Sequence, residues 1–355
     1  MEQIVRRPTR RIFLGGVPIG DGAPVSIQSM LNVRTSDVSG ALRQIRELEA
    51  AGCDIIRFTI ADKADAAAIP ELKREARAPL VADIHFDHQL ALAALEAGID
   101  GLRINPGNIG SRDKVEEVVK AAAERKVPIR IGVNSGSLPK HLLAKYGVSA
   151  QAMVEAALEH VRILEELHFD AIKISVKASR IPLMLESYRL LSQKVDYPLH
   201  LGVTEAGSLL SGSVKSALGL GILLSEGIGD TIRVSLTSDP VQEVIVGKQI
   251  LRNLGLRRGL DIISCPTCGR TRIDLIALVH EVEEALRPYS DIPLTVAVMG
   301  CAVNGPGEAR EADFGIAGGD GEGLLFARGE VVKKVREADL VWELLALIQA
   351  GIADA

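Results

Sequence analysis

Three of the four cysteines in this chain lie in two short turns that are rich in glycine and proline. The first turn contains Cys265 and Cys268, which are separated by two residues, and the second contains Cys301. A Cys-x2-Cys pair directs two thiolates at one metal, and a cysteine in a second turn can supply a third. The three cysteines therefore predict a metal site, and the fourth ligand decides which metal it holds.

The spacing of these cysteines leaves two kinds of metal site open. A structural zinc site takes four Cys or His ligands, but Cys53 lies far upstream in an apolar run and His280 lies within a predicted helix. Glu308, seven positions after Cys301, offers a weak oxygen ligand that is poorly matched to a thiolate-rich centre. Three sulfurs and one displaceable oxygen fit a 4Fe-4S cluster with one open iron. Zinc and iron-sulfur both stay open on spacing, and the carboxylate favours iron.

The region upstream of the cysteines repeats one structural unit. Between residues 24 and 253, short apolar runs with β-branched residues recur, and most are followed by a helical stretch rich in Ala, Leu and Glu. The runs lie near residues 24–28, 54–59, 80–84, 101–104, 129–133, 171–176, 199–203 and 231–236. Eight such runs at the spacing of β/α crossovers predict an α/β fold, a (β/α)8 TIM barrel, with an open doubly wound sheet as the alternative.

Residues that follow each run would lie at the carboxyl ends of the strands, where barrels of this class carry out their chemistry. Five of them are cations from separate runs, namely Arg57, Arg103, Arg130, Lys177 and Arg233. Like charges in one cavity repel each other unless an anion binds, and guanidinium groups pair in a bidentate manner with phosphate oxygens. With Ser235 and Thr237 in the loop after the eighth run, these cations predict a site for a small diphosphorylated molecule.

Composition limits the partners of such a site. The 355 residues carry a formal net charge of -5 and give a sequence pI of about 5.9, so no basic surface favours nucleic acid. The loops after the predicted strands contain neither a G-x-G-x-x-G fingerprint nor a Walker lysine motif, which argues against a nucleotide. No uncharged apolar run is long enough to span a membrane, and the few cysteines suit a reducing compartment. We therefore expect a cytoplasmic chain without a membrane partner.

The repeating pattern ends after a predicted helix that closes near Asn253. We predict a barrel domain over residues 1–253, a link over 254–264, and a smaller α+β domain over 265–355 that holds the metal. In and before this domain the sequence predicts short strands and two helices. The strands are expected near 261–263, 294–298, 313–317 and 323–327, and the helices near 272–287 and 336–350.

Long motifs in both parts of the chain carry a resemblance. They include Asp83-Ile-His85, Arg103-Ile-Asn105-Pro-Gly-Asn108, Arg130-Ile-Gly-Val-Asn134-Ser-Gly, His200-Leu-Gly-Val-Thr-Glu205, Arg233-Val-Ser235, Cys265-Pro-Thr-Cys268 and Gly300-Cys301-Ala-Val-Asn-Gly-Pro-Gly-Glu308. These segments span nearly the whole chain. They closely resemble the 4-hydroxy-3-methylbut-2-enyl diphosphate synthase family of the non-mevalonate isoprenoid pathway, in its two-domain bacterial form.

The resemblance implies an iron-sulfur oxidoreductase. It would open 2-C-methyl-D-erythritol 2,4-cyclodiphosphate and remove a hydroxyl group, with two electrons passed through a 4Fe-4S cluster from a ferredoxin or flavodoxin. The implied cluster ligands are Cys265, Cys268, Cys301 and Glu308, and Glu308 would be the labile one that takes part in catalysis. The implied diphosphate ligands are Arg57, Arg103, Arg130, Lys177, Arg233 and Ser235.

The resemblance also implies residues beside the carbon skeleton of the substrate. These are Asn134 and Glu205, and Glu205 is a candidate acid or base in catalysis. The roles of Asp83 and His85 stay open, because an Asp-x-His sequence at a strand end can simply orient its neighbours. Taken without the resemblance, the residues also allow a zinc-dependent TIM-barrel hydrolase or a non-catalytic phosphometabolite-binding protein.

The order of the domains predicts a homodimer. Each barrel helix returns the chain to the face opposite the active site, so the second domain would begin at the wrong end of its own barrel. A link over residues 254–264 spans at most about 36 Å when fully extended, which barely reaches along the outside of a barrel. We therefore expect each second domain to cover the barrel of its partner, an arrangement that two-fold symmetry closes and that the resemblance also implies.

Overall fold

The computed structural model describes residues 4–301 and 311–353, and the chain divides between Arg257 and Arg258 into two compact units. Residues 254–264, which the sequence analysis assigns to a link, contribute to both units. Leu254 and Leu256 pack against the core of the first unit, and Asp261–Ser264 form a strand of the second. Several residues of the predicted link therefore belong to one unit or the other.

The first unit is a parallel barrel that follows a short antiparallel hairpin of β1 (Ile12–Leu14) and β2 (Val17–Ile19). Its eight parallel strands are β3 (Ser26–Met30), β4 (Ile55–Thr59), β5 (Leu80–Asp83), β6 (Gly101–Ile104), β7 (Ile129–Asn134), β8 (Ile172–Lys177), β9 (His200–Leu201) and β10 (Thr231–Ile232). The strand order runs β8-β7-β6-β5-β4-β3-β10-β9, and a parallel bridge between Ile174 and Leu199 joins β8 to β9. The barrel prediction is confirmed, and the open-sheet alternative is wrong.

Helices connect the barrel strands. They are α1 (Val38–Ala50), α2 (Lys63–Glu75), α3 (His88–Glu96), α4 (Arg112–Glu124), α5 (Lys140–Tyr146), α6 (Ala150–Glu166), α7 (Ile181–Ser192), α8 (Leu209–Ser225) and α9 (Pro240–Asn253). Local sequence explains several of the starts, because the Asp37, Asp62 and Asp239 side chains each accept a backbone N–H in the first turn of their helix. The predicted end of the last barrel helix near Asn253 is confirmed.

The β1–β2 hairpin covers the amino-terminal end of the barrel. Ile12, Leu14 and Ile19 pack in one buried cluster with Ile55 and Val81, which lie at the beginnings of β4 and β5. The sequence analysis did not predict this hairpin, because three-residue strands are too short to show a clear alternation. Its apolar side chains close the end of the barrel opposite the carboxyl ends of the strands.

The described part of the second unit contains a mixed five-stranded sheet and two α-helices. Its elements are β11 (Asp261–Ser264), α10 (Leu275–Leu286), β12 (Thr295–Met299), β13 (Phe314–Gly318), β14 (Glu322–Ala327), β15 (Glu330–Arg336) and α11 (Leu340–Ala353). The first three strands pair in parallel and the last two pair antiparallel, and apolar side chains of both helices join the main core of the sheet. The α+β prediction is confirmed, although β15, whose residues are mostly exposed, was not predicted.

No helix in the described part of the chain is long and apolar enough to cross a membrane.

Candidate active site

Alternation along the strands directs the predicted cations into the barrel. On β4, Ile56 and Phe58 belong to the apolar core outside the strands, so Arg57 between them faces the interior. The same alternation, with apolar core residues on one or both sides, holds for Arg103, Arg130, Lys177 and Arg233. The first four cations are buried at 4–8% exposure, and the Arg233 side chain is 17% exposed. The structure therefore brings all five predicted cations together.

These cations act on each other electrostatically. Burial lowers the pKa of Arg57 to about 10, with the nearby charges of Arg233 and Arg103 adding to the shift and Asp83 opposing it. Burial and the charges of Arg130, Arg233 and Arg57 hold the pKa of Lys177 well below its ordinary value. Since each positive charge disfavours the charged form of its neighbours, an anion that binds in the interior would relieve the repulsion between them.

Two more basic side chains lie inside the barrel and were not predicted as site residues. Lys173 on β8 is 2% exposed, and burial together with the charge of Arg130 lowers its pKa to about 7. His200 on β9 is fully buried, and burial together with the neighbouring lysines and arginines holds its pKa well below the usual range. The alternation Lys173-Ile-Ser175-Val-Lys177 was the signal that would have placed Lys173 on the inner face.

Asp83 pairs with two of the predicted cations. Its carboxylate lies 3.2 Å from Arg103 Nη1 and 3.6 Å from Arg57 Nε. His85 approaches the same carboxylate at 3.7 Å, and its Nδ1 lies 3.1 Å from Arg103 Nη1. Burial raises the pKa of Asp83, but the charges of Arg57 and Arg103 and the nearby His85 side chain together hold it well below its usual range. Asp83 and His85 thus contact the predicted anion ligands directly.

Glu243, near the start of α9, is a second buried carboxylate and was not predicted as a site residue. It is 5% exposed and forms an ion pair with Arg233 at 3.3 Å. Within residues 4–301 and 311–353, Arg130 and Lys177 form no ion pair with a carboxylate. Arg130 Nη1 instead donates a hydrogen bond to Ser175 Oγ at 2.6 Å. Of the five predicted cations, these two are therefore the ones most in need of an external anion.

Two inward-facing glycines make room for the cations. A Cβ atom on Gly132 of β7 would lie 2.9 Å from Arg103 Nε and 3.2 Å from Arg130 Nη1. A Cβ atom on Gly202 would overlap the Lys177 ammonium group. Any larger residue at either position would displace a cation from the interior.

The remaining predicted residues lie at the carboxyl ends of their strands. Asn134 ends β7 and is half-buried, and Ser235 is half-buried in the segment after β10. Glu205 is exposed after β9 and has a backbone φ of +53°. Because a left-handed conformation is uncommon for Glu and costs free energy, the surrounding structure must hold this residue in place.

The cysteine turns lie at one edge of the second unit's sheet. Cys265 directly follows β11 and Cys301 lies two residues after β12, the neighbouring parallel strand. The Gly300 N–H donates a hydrogen bond to Cys265 Sγ at 3.3 Å, which ties the two turns together. Cys268 is exposed, and the backbone N–H of Arg270 lowers its pKa, which favours the thiolate that binds metals.

The fourth predicted ligand, Glu308, lies outside the described residues. Among residues 4–301 and 311–353, no group of three His, Cys, Asp or Glu side chains is arranged to hold a metal ion. The donor chemistry nevertheless fits a thiolate-bound cluster, because three cysteines share one region and one sulfur accepts an amide N–H. Cys53 is separate from them in the barrel core, where burial raises the pKa of its thiol to about 12.

Fold and site together define a two-domain TIM-barrel protein with a cationic barrel interior and a second domain that carries three cysteines. This chain belongs to the GcpE family. The family model for the GcpE TIM-barrel domain matches residues 9–248, and the model for the GcpE protein C-terminal domain matches residues 261–350.

Curated relatives match over nearly their full length. A protein of Geobacter sulfurreducens named 4-hydroxy-3-methylbut-2-en-1-yl diphosphate synthase (flavodoxin) is 60% identical over 352 residues, covering 99% of both chains. A protein of Clostridium perfringens with the same name is 60% identical and covers 97% of this chain and 99% of its own. Among solved structures, 3-dehydroquinate dehydratase from Geobacillus kaustophilus has a TM-score of 0.51 at 16% identity, covering 70% of this chain and 99% of its own. That likeness concerns the barrel fold alone.

Proposed function

We propose that this chain converts 2-C-methyl-D-erythritol 2,4-cyclodiphosphate to 4-hydroxy-3-methylbut-2-enyl diphosphate by reductive ring opening and dehydroxylation. It is an oxidoreductase of isoprenoid precursor biosynthesis. Membership of the GcpE family and 60% identity to relatives named as synthases of this product support the proposal. The observation that carries it is the excess of buried positive charge in the barrel, which a cyclic diphosphate would neutralise.

The charge balance supports a substrate with two phosphate groups. Six cations lie in the barrel interior and its mouth, namely Arg57, Arg103, Arg130, Lys173, Lys177 and Arg233. In the described part of the chain, the carboxylates that form ion pairs with them are Asp83 and Glu243. An anion with several negative charges would offset the remaining excess, and it would bind through charge-assisted hydrogen bonds.

We assign the substrate contacts to the chain's own residues by this charge balance. Arg130 and Lys177 would donate directly to phosphate oxygens, and Arg57, Arg103 and Arg233 would do so while each keeps a carboxylate partner. Ser235 would add a hydroxyl donor and Asn134 an amide beside the carbon skeleton. Glu205 would act as the acid that supplies a proton when the hydroxyl group leaves as water.

We further propose that Cys265, Cys268 and Cys301 hold a 4Fe-4S cluster, with Glu308 as a labile fourth ligand. Such a cluster would supply electrons and a Lewis-acidic iron for removal of the hydroxyl group. Three cysteines in one region, the Gly300 amide at Cys265 Sγ and the lowered pKa of Cys268 support this assignment. A carboxylate is the poorest match among these ligands, and for that reason it is the one expected to leave.

Two partners belong to the proposal. The relatives' names specify flavodoxin, and we propose flavodoxin or a ferredoxin as the electron donor of this chain. We also propose a homodimer, on the argument from the short link given above. The cytoplasmic location expected from the sequence stays a prediction.

Anaerobic purification followed by a turnover assay tests this function. The protein should be brown, with broad visible absorption, and it should convert the cyclodiphosphate when a chemical reductant is present. Cys268→Ser should lose both properties, whereas Cys53→Ala, which changes a buried cysteine of the barrel core, should keep them. A colourless protein with stoichiometric zinc would contradict the proposal and favour a hydrolase. Tight binding of the cyclodiphosphate without any turnover by the brown protein would favour a binding protein.

A further inference from the structure

Glu243 occupies a central position among the residues at the mouth of the barrel. It lies in the first turn of α9, and its side chain is 6% exposed. The carboxylate accepts four hydrogen bonds, from the hydroxyl of Ser29, from two nitrogens of Arg233 and from the backbone N–H of Leu236. These donors come from β3 and from the segment that follows β10, so one side chain connects the carboxyl ends of two neighbouring strands.

The two bonds to Arg233 fix the orientation of its guanidinium group. Nε donates to Glu243 Oε2 and Nη2 donates to Oε1, each at 3.3 Å. This side-on arrangement uses one edge of the planar fork. The opposite edge, which carries Nη1, can then receive a second anion without any change in the position of the side chain.

The same carboxylate also holds the backbone around Ser235. Leu236 N–H donates to Glu243 Oε1 at 3.1 Å, and Thr237 N–H donates to the Gly207 carbonyl at 2.9 Å. Ser235 lies directly before this anchored pair of residues. Its position therefore depends on Glu243 even though the two side chains are not hydrogen-bonded to each other in the structure.

The hydrogen bond from Ser29 keeps Glu243 in this orientation. Ser29 is fully buried on β3, and its Oγ lies 2.8 Å from Glu243 Oε2. With both carboxylate oxygens occupied twice, a rotation of the side chain would break several bonds at once. Glu243 also opposes the repulsion between cations, because its charge raises the pKa of both Arg57 and Lys177.

We propose that Glu243 is a positioning residue that aims Arg233 at a phosphate group of the substrate. This inference rests on the proposed function for the identity of the substrate, but not for the anion chemistry. Glu243 does not itself touch the anion, since two negative groups would repel each other. Its contribution passes through Arg233, and this distinguishes it from a buried ion pair that only stabilises the fold.

Titration calorimetry of the cluster-loaded protein with inorganic pyrophosphate tests the proposal without requiring turnover. Glu243→Gln keeps the size of the side chain but loses the charge and one of the two bonds to Arg233. We expect it to weaken pyrophosphate binding by about tenfold, the scale of one charge-assisted hydrogen bond. In the turnover assay the same variant should raise KM more than it lowers kcat.

A double-mutant cycle separates positioning from general stabilisation. If Glu243 acts through Arg233, Glu243→Gln should have little further effect on pyrophosphate binding in an Arg233→Ala background. Equal weakening in both backgrounds, or wild-type affinity in Glu243→Gln, would overturn the proposal. The matched control is Asp230→Asn. Asp230 is a buried residue directly before the amino-terminal end of β10, and its carboxylate accepts a hydrogen bond from the Leu199 N–H and forms an ion pair with Arg6. The control should lower thermal stability and keep pyrophosphate affinity.

A milder variant covers the case in which Glu243→Gln does not fold. Ser29→Ala removes one hydrogen bond to the carboxylate and should weaken pyrophosphate binding by about threefold, again only when Arg233 is present. The same loss in both backgrounds would contradict the positioning role. Because binding of pyrophosphate is measured apart from catalysis, a protein that shows this coupling but does not reduce the cyclodiphosphate would refute the proposed function alone.

Discussion

Replacing Arg130 with Met should stabilise the ligand-free protein while it weakens anion binding. Arg130 is 4% exposed, its pKa is well below the ordinary value because of burial and the charges of Arg57 and Arg103, and it forms no ion pair in the described part of the chain. Methionine fills a similar volume without a charge. The variant therefore removes a source of repulsion from the barrel interior and one partner of the substrate at the same time.

The structure gives the scale of both effects. Replacing buried charges by apolar side chains of similar volume stabilises the folded protein by about 1–4 kcal/mol when the change is favourable. The variant also loses the 2.6 Å hydrogen bond to Ser175, which offsets about 1 kcal/mol of that gain. We expect a net rise of up to about 3 kcal/mol in the free energy of unfolding. Loss of a charge-assisted contact should weaken pyrophosphate binding by about 1.5–3 kcal/mol, or roughly one to two decades.

Thermal unfolding with and without pyrophosphate measures the two effects in one experiment. The melting temperature of Arg130→Met should exceed that of the wild type without anion, and pyrophosphate should raise it much less than it raises the wild type. Arg125→Met, at an exposed position at the end of α4, is the control and should match the wild type in both conditions. A variant that is destabilised without anion and still binds pyrophosphate like the wild type would refute the idea of an anion site built from repelling cations.

Further predictions concern the other interior residues, the cluster ligands and the assembly. The pKa of Lys173 is about 7 in the folded protein against an ordinary value of 10.5, so the unfolded chain binds more protons between these values and Lys173 destabilises the fold most below pH 7. The stability advantage of Lys173→Met over the wild type should therefore be largest below pH 7 and shrink as the pH rises toward 10, and a constant advantage in thermal unfolding would contradict this. Gly202→Ala should displace the Lys177 ammonium group and weaken pyrophosphate binding in calorimetry, whereas Gly136→Ala, in open space after β7, should affect it less. Glu308→Ala should keep the visible absorption of a cluster but lose turnover, and complete loss of that absorption, as expected for Cys301→Ser, would mean that Glu308 is a structural ligand. Mixed dimers of Arg57→Ala and Cys301→Ser chains should regain activity if each site uses two chains, and failure under conditions that restore wild-type chains would indicate a site within one chain.

Local sequence was sufficient to predict the barrel and most of its cations. The positions of Arg57 and Arg103 in separate apolar runs predicted that they meet in one cavity, because the carboxyl ends of all the strands lie at the same end of a barrel. The end of the last barrel helix near Asn253 and the turn at Cys265 were also predicted, since both depend on patterns of a few consecutive residues. Long motifs, rather than physical reasoning, supplied the reaction and the assignment of Glu205, whereas cysteine spacing and ligand chemistry had already indicated Glu308.

Only the tertiary structure showed how the charges at the mouth are paired. In the sequence, Glu243 resembles an ordinary acidic residue in the first turn of a helix. In the structure, however, its carboxylate accepts a hydrogen bond from Ser29, which lies 214 positions away. Asp83 likewise joins two arginines from different strands, and the pKa of Lys173 is lowered because folding buries its side chain and places Arg130 beside it in the sheet. Such pairings depend on distances between segments that are far apart in the chain, and no local pattern records those distances. The sequence thus determined which residues face the interior, and the tertiary structure decided which of the interior cations form ion pairs with carboxylates.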